Sequence, residues 1–100
     1  MKTLLKNGTI YDGSGTKTFS GDVLVENEQI IEIGANITSK AERIIDCTGL
    51  CIAPGFIDAH THNDFFIERD DSERFFAPFV KQGITTQTTG NCGFSPFCNW

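Results

Sequence analysis

Turn-forming residues interrupt the first half of the chain so often that a long helix has no room to form there. Between residues 3 and 53, short apolar runs are separated by Asn-Gly, Asp-Gly and Asn-Glu steps and by single glycines. This pattern is typical of short strands joined by tight turns, and it predicts roughly four to six strands. The clearest hairpin pairs residues 22–26 with 29–33, where β-branched residues alternate with polar or smaller ones. Residues 44–47 form another candidate strand.

The pattern changes at Pro54-Gly55. Residues 56–62 are apolar at first and polar at their end, which is the profile of a strand that leads into a functional site. Residues 84–89 contain four threonines, and such a β-branched run favours a second strand after Gly83. The separation between the two exceeds the dozen or so residues that a parallel crossover needs. A right-handed βαβ unit is therefore expected.

A short helix is predicted between these two strands. Ser72 is a candidate N-cap, because its hydroxyl can accept a hydrogen bond from the first turn. Pro78 argues for a helix that starts at Pro78 instead, because a proline inside a helix removes a hydrogen bond. With the first alternative, four apolar residues share one stripe of the helix: Phe75, Phe76, Phe79 and Val80.

Two histidines and a cysteine are the candidate metal ligands. Side chains two residues apart on a strand share a face, so His60 and His62 would have Cβ atoms about 6–7 Å apart and could share one ion. A catalytic zinc site takes about three protein ligands. Cys92 is the next candidate, because the glycines near it let the backbone turn and present the thiol. Asp58, on the same predicted face, is a candidate to orient a histidine ring.

Plainer interpretations exist for the cysteines and for Asp64. Cys92 alone is more often a buried thiol than a ligand. The other three cysteines are assigned to packing: Cys47, Cys51 and Cys98. A structural zinc site made of all four cysteines is the alternative, although the C-x3-C and C-x5-C spacings fit the usual two-residue knuckle poorly. Asp64 is expected to be solvated or hydrogen-bonded.

Charge and hydropathy exclude several classes of partner. The net charge is -5 and the basic residues are scattered, so nucleic acid is not an expected partner. No run of about 18 apolar residues occurs, and Lys6 interrupts the apolar start of the chain, so neither membrane insertion nor export is expected. A cytoplasmic location follows, where cysteines would stay reduced. Residues 94–100 contain two Phe and a Trp and carry no charge, which predicts that the chain is a segment of a longer protein.

The stretch from residue 53 to residue 64 resembles the first barrel strand of the amidohydrolase superfamily, whose mark is Pro-Gly-Phe-Ile-Asp followed by His-x-His. Residues 82–86 together with Gly-Asn-Cys-Gly-Phe-Ser at 90–95 are similar to the N-acyl-D-amino-acid deacylases of that superfamily. In that family the cysteine of the motif is a zinc ligand, and the corresponding residue here is Cys92. The turn-rich first half is similar to the family's small sandwich domain.

The resemblance implies an α/β fold with a β-rich N-terminal half. Residues 1–53 would be a β-sandwich-like segment whose partner strands are missing, and residues 54–100 would begin a (β/α)8 barrel that stays incomplete in this chain. Asn63-Asp64 replaces the two aspartates that the family often has after His-x-His. The family's later histidines and the aspartate that acts as general base lie on strands outside this chain, so no catalytic residue is assigned here.

The implied activity is zinc-dependent hydrolysis of N-acyl-D-amino acids to a D-amino acid and a carboxylate, with one or two ions held by His60, His62 and Cys92. Hydrolysis of cyclic amides, as in hydantoinases or dihydroorotases, is the alternative within the superfamily. A folded metal-binding or structural module without catalysis is the alternative from another class. The remainder of the protein would be needed to complete the fold, and the isolated chain is expected to self-associate.

Overall fold

The computed structural model describes residues 1–97 of the 100-residue chain, which divide into two compact units. The first unit comprises Met1–Pro54, and the second begins at Gly55. Cys98 and Trp100 lie outside the described residues, so the predictions that concern them are not tested. Within residues 1–97, no helix has the length and hydrophobicity that crossing a membrane requires.

The first unit is one mixed five-stranded sheet. Its strands are β1 (Lys2–Ile10), β2 (Phe19–Glu26), β3 (Gln29–Gly34), β4 (Arg43–Asp46) and β5 (Cys51–Ile52). The order is β3-β2-β1-β4, and β5 pairs with the last residues of β1. β1 is antiparallel to β2 and parallel to β4 and β5. The strand-rich first half is therefore confirmed. Residues 1–54 form a single sheet, so the second layer of a sandwich stays a prediction.

The predicted hairpin is present as β2 and β3, which pair from Asp22 with Gly34 to Glu26 with Gln29. The connection consists of two residues, and Asn27 takes a positive φ of 55°. Asparagine tolerates this left-handed conformation better than most residues do. The register of the hairpin shifts between Leu24 and Val25, because β3 carries one extra residue there.

The core of the first unit lies on one face of the sheet. Leu4 and Leu24 pair across β1 and β2, and Ile37 from the segment after β3 packs against both, with all three side chains at most 4% exposed. Burial of such side chains contributes about 1.5–3 kcal/mol each. Several apolar side chains of the same unit stay exposed: Ile30, Ile31, Ile33, Ile44 and Leu50.

A buried carboxylate joins this core to a bulge in β1. Lys6 and Asn7 together lie opposite the single residue Asp22 of β2, and Asn7 takes a φ of 62°. The Asp22 side chain, 2% exposed, accepts hydrogen bonds from the backbone N–H of Asn7 on one oxygen and of Ile37 on the other, both at 2.9 Å. Asp22 thereby fixes the bulge and holds the segment with Ile37 over the sheet.

The bulge also contacts the end of β4 at the protein surface. Asp46 Oδ1 accepts hydrogen bonds from the hydroxyl and the backbone N–H of Thr48 and from the Asn7 amide. These donors, the Thr48 hydroxyl first, hold the pKa of Asp46 below its usual value. The side chain of Asn7 therefore links β1 to the turn after β4.

The second unit is a strand, helix and strand, as expected. Its elements are β6 (Phe56–Asp58), a 3-10 turn (Asn63–Phe66), α1 (Glu73–Val80) and β7 (Ile84–Gln87). β6 and β7 pair in parallel, so the βαβ unit is confirmed. α1 begins after Ser72 and contains Pro78, so the alternative start at Pro78 is wrong. The Ser72 side chain makes no capping hydrogen bond.

We expect Asp22→Asn to lower the free energy of unfolding by about 1–3 kcal/mol. An amide offers only one acceptor oxygen, and its NH2 group would face a backbone N–H that Asp22 now satisfies. Urea denaturation measures the loss. Asp70→Asn, at an exposed aspartate, is the matched control and should stay within about 0.5 kcal/mol of the parent. Equal values for the two variants would contradict the role given to Asp22.

Candidate metal centre

The strand that leads into the site is shorter than predicted. β6 ends at Asp58, so His60 and His62 lie in the irregular segment after the strand and not on a shared strand face. The prediction that the strand continues to residue 62 is wrong. The reason is local: Asp58 Oδ1 accepts a hydrogen bond from the backbone N–H of His60 at 3.1 Å, a bond that turns the chain. Asp58 thus contacts His60 through the backbone, not through the ring.

The two histidines nevertheless come close to each other. Their ring centroids are 5.4 Å apart, with an angle of 65° between the ring planes. The turned backbone is held to the neighbouring strand by two backbone hydrogen bonds, from Thr88 N–H to Asp58 O at 2.8 Å and from Thr61 N–H to Thr88 O at 3.0 Å. The pairing of the two segments therefore continues past the end of β6.

Cys92 lies on a glycine-bounded turn after β7. Gly90 and Gly93 take positive φ values of 77° and 76°, and the N–H of Gly93 donates to the carbonyl of Gly90 at 2.9 Å. Residues other than glycine rarely adopt such φ values, so the two glycines allow the tight turn. The expectation that the glycines present the thiol agrees with this geometry.

The turn brings the thiol to the histidines. His60 Nε2 lies 3.0 Å from Cys92 Sγ. One ligand atom from each of His60, His62 and Cys92 can be chosen so that all three atoms lie within 4.8 Å of one another. All three side chains are exposed. The residues expected from sequence to share an ion are thus adjacent in space.

The spacing of these atoms suits a zinc ion. Zinc binds imidazole nitrogen at about 2.0–2.1 Å and thiolate sulfur at about 2.3 Å in a tetrahedral arrangement, so a nitrogen and a sulfur on the same ion lie about 3.5 Å apart. His60 Nε2 and Cys92 Sγ are 3.0 Å apart, and the three ligand atoms all lie within 4.8 Å of one another, limits that include that value. Imidazole and thiolate are also the ligand types that zinc prefers. The donor set therefore fits zinc in chemistry and in geometry.

Two other cysteines, Cys47 and Cys51, take no part in this cluster. Cys47 is buried, at 6% exposed, and its thiol lies 3.8 Å from the carbonyl of Ile45, which agrees with packing. Cys51 is exposed on β5, so packing does not describe it. Cys47, Cys51 and Cys92 form no disulfide within residues 1–97. The four-cysteine alternative involves Cys98 and stays untested.

Asp64 differs from its expectation. It is 7% exposed, and neither carboxylate oxygen has a hydrogen-bond partner within residues 1–97. The interpretation of Asp64 as a solvated or hydrogen-bonded side chain is therefore wrong. The 3-10 turn after His62 directs this side chain inward, while the ring of Phe66 in the same turn stacks on Phe75 of α1 at 4.1 Å.

Two side-chain amides near the ligands were not identified from sequence. Asn63, directly after His62, donates to the side-chain oxygen of Gln87 at 3.2 Å. Asn91, directly before Cys92, donates to the carbonyl oxygen of Ala59 at 2.9 Å. Their adjacency to candidate ligands was the available signal, but asparagine beside glycine is so common in turns that the sequence alone did not distinguish them.

Relatives of known name match nearly all of the chain. A D-aminoacylase from Alcaligenes xylosoxydans xylosoxydans is 44% identical over 92 residues, which is 92% of this chain and 18% of the relative. No family model matches the chain. A solved D-aminoacylase structure with a binuclear metal centre superposes with a TM-score of 0.83 at 40% identity, covering 93% of this chain and 19% of that one.

Along nearly its whole length, the chain is similar to the D-aminoacylases of the amidohydrolase superfamily. The N-acyl-D-glutamate deacylase from Bordetella bronchiseptica, solved with zinc and a phosphonate mimic of the tetrahedral intermediate, is a further neighbour, with a TM-score of 0.78 and 38% identity over 93% of this chain and 19% of that one. The resemblance inferred from the motifs is thereby confirmed. The chain spans about a fifth of the length of these D-aminoacylase relatives.

Other amidohydrolases match a smaller part of the chain. A dihydroorotase from Lactococcus lactis is 40% identical over 62 residues, which is 62% of this chain and 15% of the relative. The similarity to the D-aminoacylase family is therefore the more extensive one.

We expect Gly55→Ala to weaken the pairing of β6 with β7. A Cβ at residue 55 would lie 2.7 Å from the Cβ of Thr85 and closer still to its Oγ1, so one of the two strands must shift. Overpacking of this kind costs about 1–3 kcal/mol, measured as the free energy of unfolding. Gly34→Ala, where an added Cβ meets nothing within 4 Å, is the matched control. Equal stability of the two variants would contradict the close approach at Gly55.

Proposed function

We propose that this chain forms the amino-terminal part of a metal-dependent hydrolase that cleaves N-acyl-D-amino acids to a D-amino acid and a carboxylate. The observation that carries this proposal is the convergence of two imidazoles and one thiol, all within 4.8 Å, in a chain that is similar to the D-aminoacylases. The substrate class comes from the relatives, whose names specify D-aminoacyl, N-acyl-D-aspartate and N-acyl-D-glutamate substrates.

His60, His62 and Cys92 are the proposed metal ligands. Zinc is the proposed metal, in one or two ions, because the ligand atoms suit it and because relatives contain zinc or a binuclear metal centre. A zinc ion held there would supply a hydroxide nucleophile near neutral pH and polarise the scissile carbonyl. The chain's own part is to hold the ligands on two adjacent segments, with Asp58 shaping the turn that carries His60.

The general base and the remaining ligands are proposed to come from the rest of the protein. Two parallel strands cannot close a barrel, so β6, α1 and β7 would be the first βαβ unit of a (β/α)8 barrel completed by residues outside this chain. We place the boundary between the sandwich-like segment 1–53 and the barrel segment 54–100, as proposed from the sequence.

Exposed apolar side chains support the need for further protein. In the second unit these include Phe56, Ile57, Phe65, Ile67 and Val80, each between 49% and 69% exposed. Such surface is costly in water and is normally covered or used for association. We propose that the remainder of the protein covers it, and that the isolated chain self-associates. The cytoplasmic location and the absence of nucleic-acid and membrane partners stay predictions from the sequence.

Two other functions are weaker candidates. Cyclic-amide hydrolysis would use the same two histidines, but similarity to a dihydroorotase extends over 62 residues, compared with 92 for the D-aminoacylase. A module that binds metal without turnover agrees with the cluster of candidate ligands formed by His60, His62 and Cys92. It does not account for the similarity to deacylases along 92% of the chain.

We expect the full-length protein, supplied with zinc, to hydrolyse N-acetyl-D-amino acids and to leave the N-acetyl-L-amino acids intact. Cys92→Ala should lower kcat/KM by about 100-fold or more, because one of the proposed metal ligands is lost. Release of free amino acid in paired D and L assays measures both effects.

The exposed Cys51 provides the matched control, since Cys51→Ala removes a thiol outside the cluster and should leave the rate unchanged. Release from neither series, with opening of a hydantoin ring instead, would assign the protein to the cyclic-amide branch.

A further inference from the structure

The turn that carries Cys92 has few connections to the segment that carries the histidines. The ladder between β6 and β7 ends where Asp58 pairs with Gln87, and the last backbone hydrogen bond between the two segments joins Thr61 to Thr88. Residues 89–97 make two such contacts with the histidine segment. One is the contact of Cys92 with His60, and the other is a single hydrogen bond. This bond runs from Asn91 Nδ2 to the carbonyl oxygen of Ala59.

This bond has the same register as the contact between the ligands. Asn91 directly precedes Cys92, and Ala59 directly precedes His60. The residues in contact, Asn91 with Ala59 and Cys92 with His60, are therefore 32 apart in the chain in both cases. The 2.9 Å bond therefore fixes the distance between the two backbones one residue before Sγ and Nε2 approach to 3.0 Å. Loss of the first contact is therefore expected to loosen the second.

We propose that Asn91 is a positioning residue, whose side-chain amide holds the Cys92 thiol at the metal site by bonding the backbone beside His60. The inference rests on the proposed metal centre and adds a residue to it. Asn91 is not one of the proposed ligands, and its amide nitrogen donates to the carbonyl oxygen of Ala59. Its effect on the metal is transmitted through Cys92.

The flanking glycines explain why such a bond is needed. Gly90 and Gly93 give the backbone around Cys92 more freedom than other residues would, and Cys92 itself is exposed. Ordering this turn therefore costs more conformational entropy than ordering an average segment does. A hydrogen bond to a distant carbonyl lowers that cost in advance of metal binding.

A plain turn function for Asn91 does not account for the bond. Asparagine in a turn usually bonds its own backbone about two residues on, as Asp58 does here with His60. The partner of Asn91 is instead 32 residues away, on the segment of the other ligands. The bond thus links two segments and does not form the turn, which the hydrogen bond between Gly93 and Gly90 already closes.

The test uses the full-length protein loaded with cobalt in place of zinc, because a thiolate bound to cobalt gives a charge-transfer absorption that imidazole ligands do not give. We expect Asn91→Ala to lower this absorption to less than half of the parent's and to weaken zinc binding roughly 10-fold in competition with a chelator. The melting temperature of the metal-free protein should stay within about 2 °C of the parent.

Two further variants separate positioning from folding and from charge. Asn91→Asp keeps the shape of the side chain and removes both donors, so the absorption should fall as in Asn91→Ala, even though the added charge favours cation binding. Asn63→Ala removes the amide that bonds Gln87, a contact outside the Cys92 turn, and should keep the thiolate absorption.

The outcomes distinguish this inference from the proposed function. Full thiolate absorption in both Asn91 variants would overturn the positioning role while leaving Cys92 as a ligand. A parent protein whose absorption equals that of Cys92→Ser would overturn the ligand assignment itself, and the role of Asn91 would be lost with it. An equal loss in Asn63→Ala and Asn91→Ala would show a general loosening of the site and would overturn the specific role of Asn91.

Discussion

The parallel pairing of β6 with β7 is the interaction on which the candidate metal centre depends. The histidines and the cysteine are separated by about thirty residues of chain, and only the alignment of the two strand ends makes them neighbours. Backbone hydrogen bonds at Asp58, Thr61 and Thr88 extend this alignment beyond the regular strands. Because parallel strands need a crossover, α1 and the turns around it are required for the same pairing.

Short polar side chains end the regular structure where the fold needs a change of direction. Asp58 bonds the backbone of His60 and so stops β6 before the histidines. In the first unit, Asp22 satisfies two backbone donors at a β-bulge and beside the buried Ile37. In both places a carboxylate replaces the ladder partner that the backbone has lost. The bulge and the candidate site thus both depend on a carboxylate that accepts hydrogen bonds from backbone N–H groups.

The sequence predicted most of the architecture because its signals were local. Gly and Asn at turns marked the strands of the first unit, and the threonine-rich run marked β7, since turn and β-branched residues act within a few positions. The proximity of His60, His62 and Cys92 was also predicted, because the histidines carry the motif and Cys92 follows a strand, while their role as ligands stays a proposal. What failed was the extent of β6, whose end is decided by one side-chain hydrogen bond that periodicity does not reveal.

Contacts between distant segments were beyond such prediction. The bond from Asn91 to Ala59 and the burial of Asp64 arise only once two segments are packed, and no periodic pattern encodes either of them. Pro78 favoured a later start of the helix, because proline lacks the N–H of a helical hydrogen bond. The loss of that one bond did not prevent α1 from starting at Glu73.

The most direct test of the metal centre is X-ray absorption at the zinc edge of the full-length protein and its Cys92→Ser variant. The account predicts a sulfur neighbour at about 2.3 Å together with nitrogen neighbours at about 2.0–2.1 Å, and loss of the sulfur in the variant. Zinc surrounded only by nitrogen and oxygen in the parent, or a sulfur neighbour that persists in Cys92→Ser, would contradict it.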